Sequence, residues 1–378
     1  MVIENATVYD DGFEKYEDFV IDNGSDEVID GSGYFVIPTL VDLNVRLQDG
    51  VLNSKNIKNI SESAKKGGVG HIVLNADSTP AIDSESILEF AKNGLRDAKG
   101  AKVDLMVNAL QKDSNLSNIA ILLKNGALSV YMSTIAKNDI AIKVAEYAKM
   151  YDVTLFVKAE DNSLKNSGVM LDGDVSSKLG LAGILDLSEV LHVSRMIEIA
   201  RHFDIKILFK SITSPRSVSL INKAKKDGVK VSCEVSLHHL INSDEACENF
   251  NTIAKLDPPL PSKKDMLELQ NMLKNGEIDI LTTLHQPNSP VNKEVAFYDA
   301  AYGCESIEDT LPLYYTKLVK SGILTMKELV DLVCINPSKL VQKEKSYILF
   351  NPNKTYTIKN PHSLYDGEMV YGGVERSF

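Results

Sequence analysis

Three basic side chains each close an apolar, β-branched run: Arg46 after "VIPTLVDLNV", Lys158 in "TLFVKAED" and Lys210 in "KILFKSI". Glu160 and Asp161 follow Lys158, Asp257 sits in "LDPPLPS", and His238, His239 and His285 stand at the ends of two further runs. Cations at strand ends can hold an anion or pair with carboxylates. They are poor company for a divalent metal, because arginine stays protonated and offers no lone pair, and zinc needs at least three N, S or O ligands in good geometry. Lys158 and Glu160, two apart on one strand face, read first as an internal ion pair. His285 alone at a strand end reads as a satisfied polar group. His238 and His239, taken as strand neighbours, point to opposite faces and suit packing or hydrogen bonding. Ser133 and Ser211 have no base in register to activate them, and no glycine-rich phosphate loop occurs.

These residues need a frame that brings strand ends together. Eight short β-branched runs alternate with longer stretches of helical periodicity: "VIPTLVDLNV", "HIVLNAD", "DLMVNAL", "ALSVYM", "TLFVKAED", "KILFKSI", "KVSCEVSLHHL" and "IDILTTLH". Strand followed by helix, eight times, implies parallel strands with crossover helices, and eight closes a barrel. Gly126, Gly228, Gly276 and Gly322 end helical stretches, and Pro215 sits near a helix start. The expected fold is α/β, a (β/α)8 TIM-type barrel over 37–341. The β-rich ends, 1–36 and 342–378, are expected to join as one small sheet domain. The reactive positions then lie at the C-terminal ends of the strands.

The 378 residues allow one barrel-sized domain with a satellite. A net charge of −11, from 52 acidic against 41 basic residues, disfavours nucleic acid and anionic membrane as partners. Cys233, Cys247, Cys304 and Cys334 fit no disulfide or zinc spacing and read as reduced thiols. The first residues have neither the basic nor the apolar region of a signal peptide. No apolar run approaches the ~20 residues of a membrane span. A cytoplasmic location is expected.

Several segments, in order, resemble the dihydroorotases of the amidohydrolase superfamily. "IPTLVDLNVRLQDG" is similar to the family's "PGLIDxHxHLR" signature, "VKAEDNSL" to its His-x-Glu-Asp segment and "KSITS" to its His-x-Ser-Thr segment. "VSCEVSLHHL" and "LDPPLPSKKD" resemble its "CEVTPHHL" and "NPPLR" elements. "TTLHQPNS" resembles "TDHAPH", and the stretch from "FYDAAYGCES" to "INPSKL" follows its last helices. The resemblance implies a zinc cyclic amidohydrolase acting in pyrimidine synthesis. It also implies what is missing. Asn44 and Arg46 replace the two zinc-binding histidines of the first strand, and Gln48 replaces the arginine that grips substrate. Lys158 and Lys210 stand for the histidines of strands five and six, and Leu284 for the catalytic aspartate of strand eight. Asp257 replaces a substrate-contacting asparagine, and "SVYMST" offers no bridging carboxylate or carboxylated lysine.

The expectation is therefore a dihydroorotase-like protein without catalysis and without a cofactor, zinc included. Arg46, Lys158 and Lys210, with His239, Asp257 and His285, would form a pocket where their charge replaces that of the metal. The resemblance names aspartate carbamoyltransferase as a partner, and an oligomer is expected. The alternatives are an active cyclic amidohydrolase with a rebuilt site and a protein that binds a small anion.

Overall fold

A computed structural model describes residues 1–9, 12–22, 24–133, 136–165, 167–341 and 346–378. Eight strands form one all-parallel sheet in chain order: β1 (Leu40–Val45), β2 (Val69–Leu74), β3 (Lys102–Asn108), β4 (Ser129–Met132), β5 (Leu155–Lys158), β6 (Ile207–Lys210), β7 (Val231–Ser236) and β8 (Ile280–Thr282). The sheet comes round on itself. Val45 bridges His285 in parallel, and the Arg46 backbone N–H donates to the His285 carbonyl at 2.9 Å. This is the expected barrel. All six residues of β1 are buried, as a strand covered on both faces requires.

The main helices pack outside: α1 (Ser54–Lys66), α2 (Glu85–Leu95), α3 (Ile119–Lys124), α4 (Asn138–Tyr151), α5 (Leu187–Phe203), α6 (Pro215–Lys226) and α7 (Lys263–Lys274). Their ends follow local rules. Asn53 caps α1 by accepting the Asn56 N–H, Ser262 caps α7 by accepting that of Asp265, and Pro215 opens α6. Gly228, just past α6, takes φ +83°, a left-handed conformation cheap only for glycine. No helix among the described residues is long and apolar enough to cross a membrane.

The ends meet in a five-stranded sheet of Thr7–Tyr9, Phe13–Lys15, Phe35–Pro38, Tyr347–Thr357 and Met369–Ser377. Three further strands, Val2–Glu4, Asp18–Val20 and Val28–Asp30, make a second small sheet from the N-terminal segment alone. Ile3, Val8, Val36 and Leu349 are among the side chains that share a small core there. The run "VIPTLVDLNV", expected as one strand, is two. Phe35–Pro38 belongs to the terminal sheet and Leu40–Val45 to the barrel, with the break at Thr39. Thr39 N–H still donates to the Ser346 carbonyl and Leu40 N–H already donates to that of Gly68, each at 3.0 Å, so the chain changes sheets between them. The boundary expected at 342 falls among residues 342–345, outside the described set.

Candidate functional site: the barrel mouth

The centre of the barrel is polar. Asn44, at the end of β1 and 1% exposed, donates from Nδ2 to Ser211 Oγ (2.6 Å) and to Glu234 Oε1. Asn75, just past β2, donates to Asn44 Oδ1 at 2.8 Å. Lys210, the last residue of β6, is buried. Its Nζ donates to the Leu43 carbonyl at 2.6 Å, lies 3.7 Å from Glu234 Oε1 and sits 5.4 Å from the centre of the Phe156 ring. Burial lowers the pKa of Lys210 and raises that of Glu234, and each opposes the other's shift by its charge. Asp42 accepts both the N–H and the hydroxyl of Thr283. Burial nevertheless raises its pKa.

Above this lie two ion-paired groups. Arg46 projects from the end of β1 and grips Asp77 Oδ2 through Nη2 at 2.9 Å and Nε at 3.3 Å, while the Tyr131 hydroxyl donates to the same oxygen at 3.4 Å. Burial would raise Asp77, but Arg46, aided by Lys158 and Lys210, holds it below the usual carboxylate range. The second group is a closed square. Lys158 Nζ lies 2.6 Å from Asp257 Oδ2 and 3.2 Å from Glu160 Oε2, and Lys165 Nζ lies 3.2 Å from an oxygen of each. Burial works against the charge on Lys158, and Asp257 and Glu160 more than overcome it, so its pKa rises. The two lysines hold Asp257 far below the usual range despite its burial. Lys158 and Lys210 are direct register partners across β5 and β6, so two cations stand side by side, each answered by a carboxylate.

Of the residues singled out from sequence, Asn44, Arg46, Lys158, Glu160, Lys210 and Asp257 come together here, and the expected Lys158–Glu160 ion pair is present. The others point elsewhere. His238 and His239 are not strand neighbours, because β7 stops at Ser236 and a helical turn, Leu237–Ile241, carries both. His239 accepts the Ser236 hydroxyl at Nδ1 (2.7 Å) and donates from Nε2 to the Pro258 carbonyl (3.1 Å), which supports the loop that carries Asp257. His238 Nδ1 lies 2.7 Å from the Tyr365 hydroxyl, and the two rings stack. Leu284 is buried and takes φ +50°. His285 and Gln48 line a groove of about 350 Å³ on the barrel flank, between α1 and the segment 305–309. Met132 and Ser133 end the fourth strand's run, and Thr134 of "SVYMST" lies outside the described residues.

Sequence reading missed Asp77, Glu234 and Lys165. A signal existed for the first. Asn75-x-Asp77 at the end of β2 repeats the spacing of Asn44-x-Arg46 at the end of β1, so the two pairs face each other rung by rung. Lys165 lies in a short helix, Asn162–Lys165, beyond β5, and no strand periodicity reaches it.

The zinc that the sequence resemblance implies does not fit these residues. Lys210 donates its protons to a carbonyl, Arg46 and Lys158 present fixed positive charge, and Leu284 offers no donor atom. Among the described residues, no group of three or more His, Cys, Asp or Glu is placed to hold a metal ion.

A family model described as "Dihydro-orotase-like" matches residues 33–211. A dihydroorotase of Elusimicrobium minutum (strain Pei191) is 33% identical, covering 98% of this chain and 90% of its own length. One from Caldanaerobacter subterraneus subsp. tengcongensis is 32% identical, covering 99% and 95%. The L-hydantoinase (dihydropyrimidinase) of Arthrobacter aurescens superposes with a TM-score of 0.84 over 100% of this chain and 94% of its own. At 19% identity, that likeness is one of fold.

Proposed function

The chain belongs to the dihydroorotase family, and from that premise we propose that it serves pyrimidine biosynthesis through its surface, without opening or closing the dihydroorotate ring. The observation that carries this reading is the square of Lys158, Asp257, Lys165 and Glu160 beside Arg46–Asp77. Ring hydrolysis needs an activated water and a base to take its proton. Here Asp77, Glu160 and Asp257 are committed to lysine or arginine, and Leu284 stands at the place the resemblance gives to the base. The cations take over the charge of a metal and need none. The same pairing weakens the anion-binding alternative, since each cation already has its counter-charge.

A surface role is supported beside the mouth. Phe250, Val291, Val295 and Tyr298 are 50%, 76%, 43% and 53% exposed. Their segments are tied together by Thr252 Oγ1 donating to the Lys293 carbonyl and Lys255 Nζ to that of Tyr298. Exposed apolar side chains grouped in this way mark contact surfaces. The partner we propose is aspartate carbamoyltransferase, in the cytoplasm, in an assembly burying roughly 1,200 Å² or more. Co-purification with the transcarbamoylase of the same organism, followed by size-exclusion chromatography, tests it. A stable complex is expected, lost in Val291→Asp/Tyr298→Asp and kept in Leu284→Asp. Separate migration at micromolar concentration, or dihydroorotase turnover by the purified chain with about one zinc bound, overturns the proposal.

A further inference from the structure

The flank groove is separate from the mouth, since one wall is the outer helix α1, through Asn56, Asn59, Ser63 and Lys66. His285 lines it and is 5% exposed. The ring's Nδ1 accepts the backbone N–H of Ser306 at 3.1 Å and of Ile307 at 3.3 Å. A nitrogen that accepts two N–H groups carries no proton, so the proton of the neutral ring is on Nε2. Burial holds the pKa of His285 near 3, which keeps the ring neutral. Among the described residues Nε2–H has no acceptor, which leaves that donor open to the groove.

The other wall is acidic, and half of its oxygens are unused. Glu305 Oε2 accepts from Asn360, Glu308 Oε1 from Ser63 and Lys66, and Asp309 Oδ1 from Tyr356. The second oxygen of each has no partner among the described residues. Among the described residues Lys66 is the one cation lining the groove, and it is already paired with Glu308 at 3.0 Å. The carboxylates repel an anion. A bare metal ion gains nothing from His285, whose free atom is a donor. What satisfies both walls is a cation that also carries an acceptor.

We propose that this groove binds a small ammonium or guanidinium compound bearing a carbonyl oxygen, with the carbonyl on His285 Nε2–H and the cation on Glu305, Glu308 and Asp309. Amino-acid amides are the simplest members of this class. The site is independent of whether the mouth is catalytic.

The test is titration of argininamide into the full chain labelled with ¹⁵N, followed at the histidine ring nitrogens. Before ligand, His285 should show the Nε2-protonated tautomer. Argininamide should then shift Nε2 saturably. Agmatine, which keeps the guanidinium but lacks the carbonyl, should bind at least about tenfold more weakly. The Glu305→Gln/Glu308→Gln variant, changed at the groove rim, should lose a similar factor for argininamide. The proposal is overturned if the ring is protonated at Nδ1, if no saturation occurs by about 50 mM, if agmatine binds as well as argininamide, or if the double variant binds it unchanged.

Discussion

Lys158 and Asp257 hold each other charged in a place that would otherwise neutralise both. Removing one partner leaves the other buried and half answered, which for such pairs costs about 3 kcal/mol or more. Lys158→Met should therefore lower stability by roughly that amount in urea unfolding. Lys158→Met combined with Asp257→Asn should cost less than the two singles together, by about 1 kcal/mol or more. Additive effects would show that the square is not a coupled unit. Leu284→Asp should yield no dihydroorotase turnover in a direct assay, since a carboxylate there still lacks an activated water. At this scale the sequence was legible where one side chain announces itself: Arg46, Lys158 and Lys210 were visible as cations at strand ends. Their partners were less so. Asp77 meets Arg46 only once β1 and β2 pair, Lys165 lies in a helical turn that no strand pattern reaches, and His285 turned outward because Ser306 and Ile307 offer their N–H groups to it.

Apolar β-branched runs and helical periodicity made the eight strands and their helices readable, because propensity and helix caps are local. The errors fell where tertiary contacts overrule local pattern. One apolar run changes sheets between Thr39 and Leu40, and β7 gives way to a helical turn at Leu237 that a strand pattern does not forbid. One junction between elements is tight. A side chain on Gly67, which follows α1, would place its Cβ 1.8 Å from the Ile307 carbonyl oxygen. Gly67→Ala must push α1 away from the segment 305–309, at about 1–3 kcal/mol for overpacking. Thermal unfolding should report that loss, and argininamide binding in the groove should weaken with it. An unchanged melting temperature would mean that α1 is not held against that segment.

Four histidines give the whole molecule its acid sensitivity. Burial holds His192 and His239 near pKa 4 and His238 and His285 near 3. The unfolded chain takes up protons at these rings below about pH 6.5, and the folded chain refuses them. Their contribution is intact above pH 6.5 and falls as the pH drops towards 4, by up to about 1.4 kcal/mol per pH unit per ring. Glu189 runs the other way. Burial raises it to about 7, so its contribution is full below about pH 4.5 and is lost as the pH rises through 7; Asp42 and Glu234, also raised by burial, act the same way, and together the three offset part of the effect of the four rings. Denaturant midpoints should drop from pH 6.5 to 5 in the wild-type chain and more steeply in Glu189→Gln, and a profile that Glu189→Gln does not steepen would mean that the carboxyl is ionised in the folded state. The terminal sheet has a different consequence, in time. Phe35–Pro38 pairs with Tyr347–Phe350, roughly three hundred residues later. A nascent chain therefore carries β1 out of the ribosome while the strand just before it has an open edge. That edge, with Val36 and Ile37 fully buried once paired, is a template for other chains until synthesis reaches Tyr347. Chains halted after Val341 should accumulate as aggregates even where the barrel strands are complete, and adding residues 346–378 as a separate peptide during translation should return them to the soluble fraction.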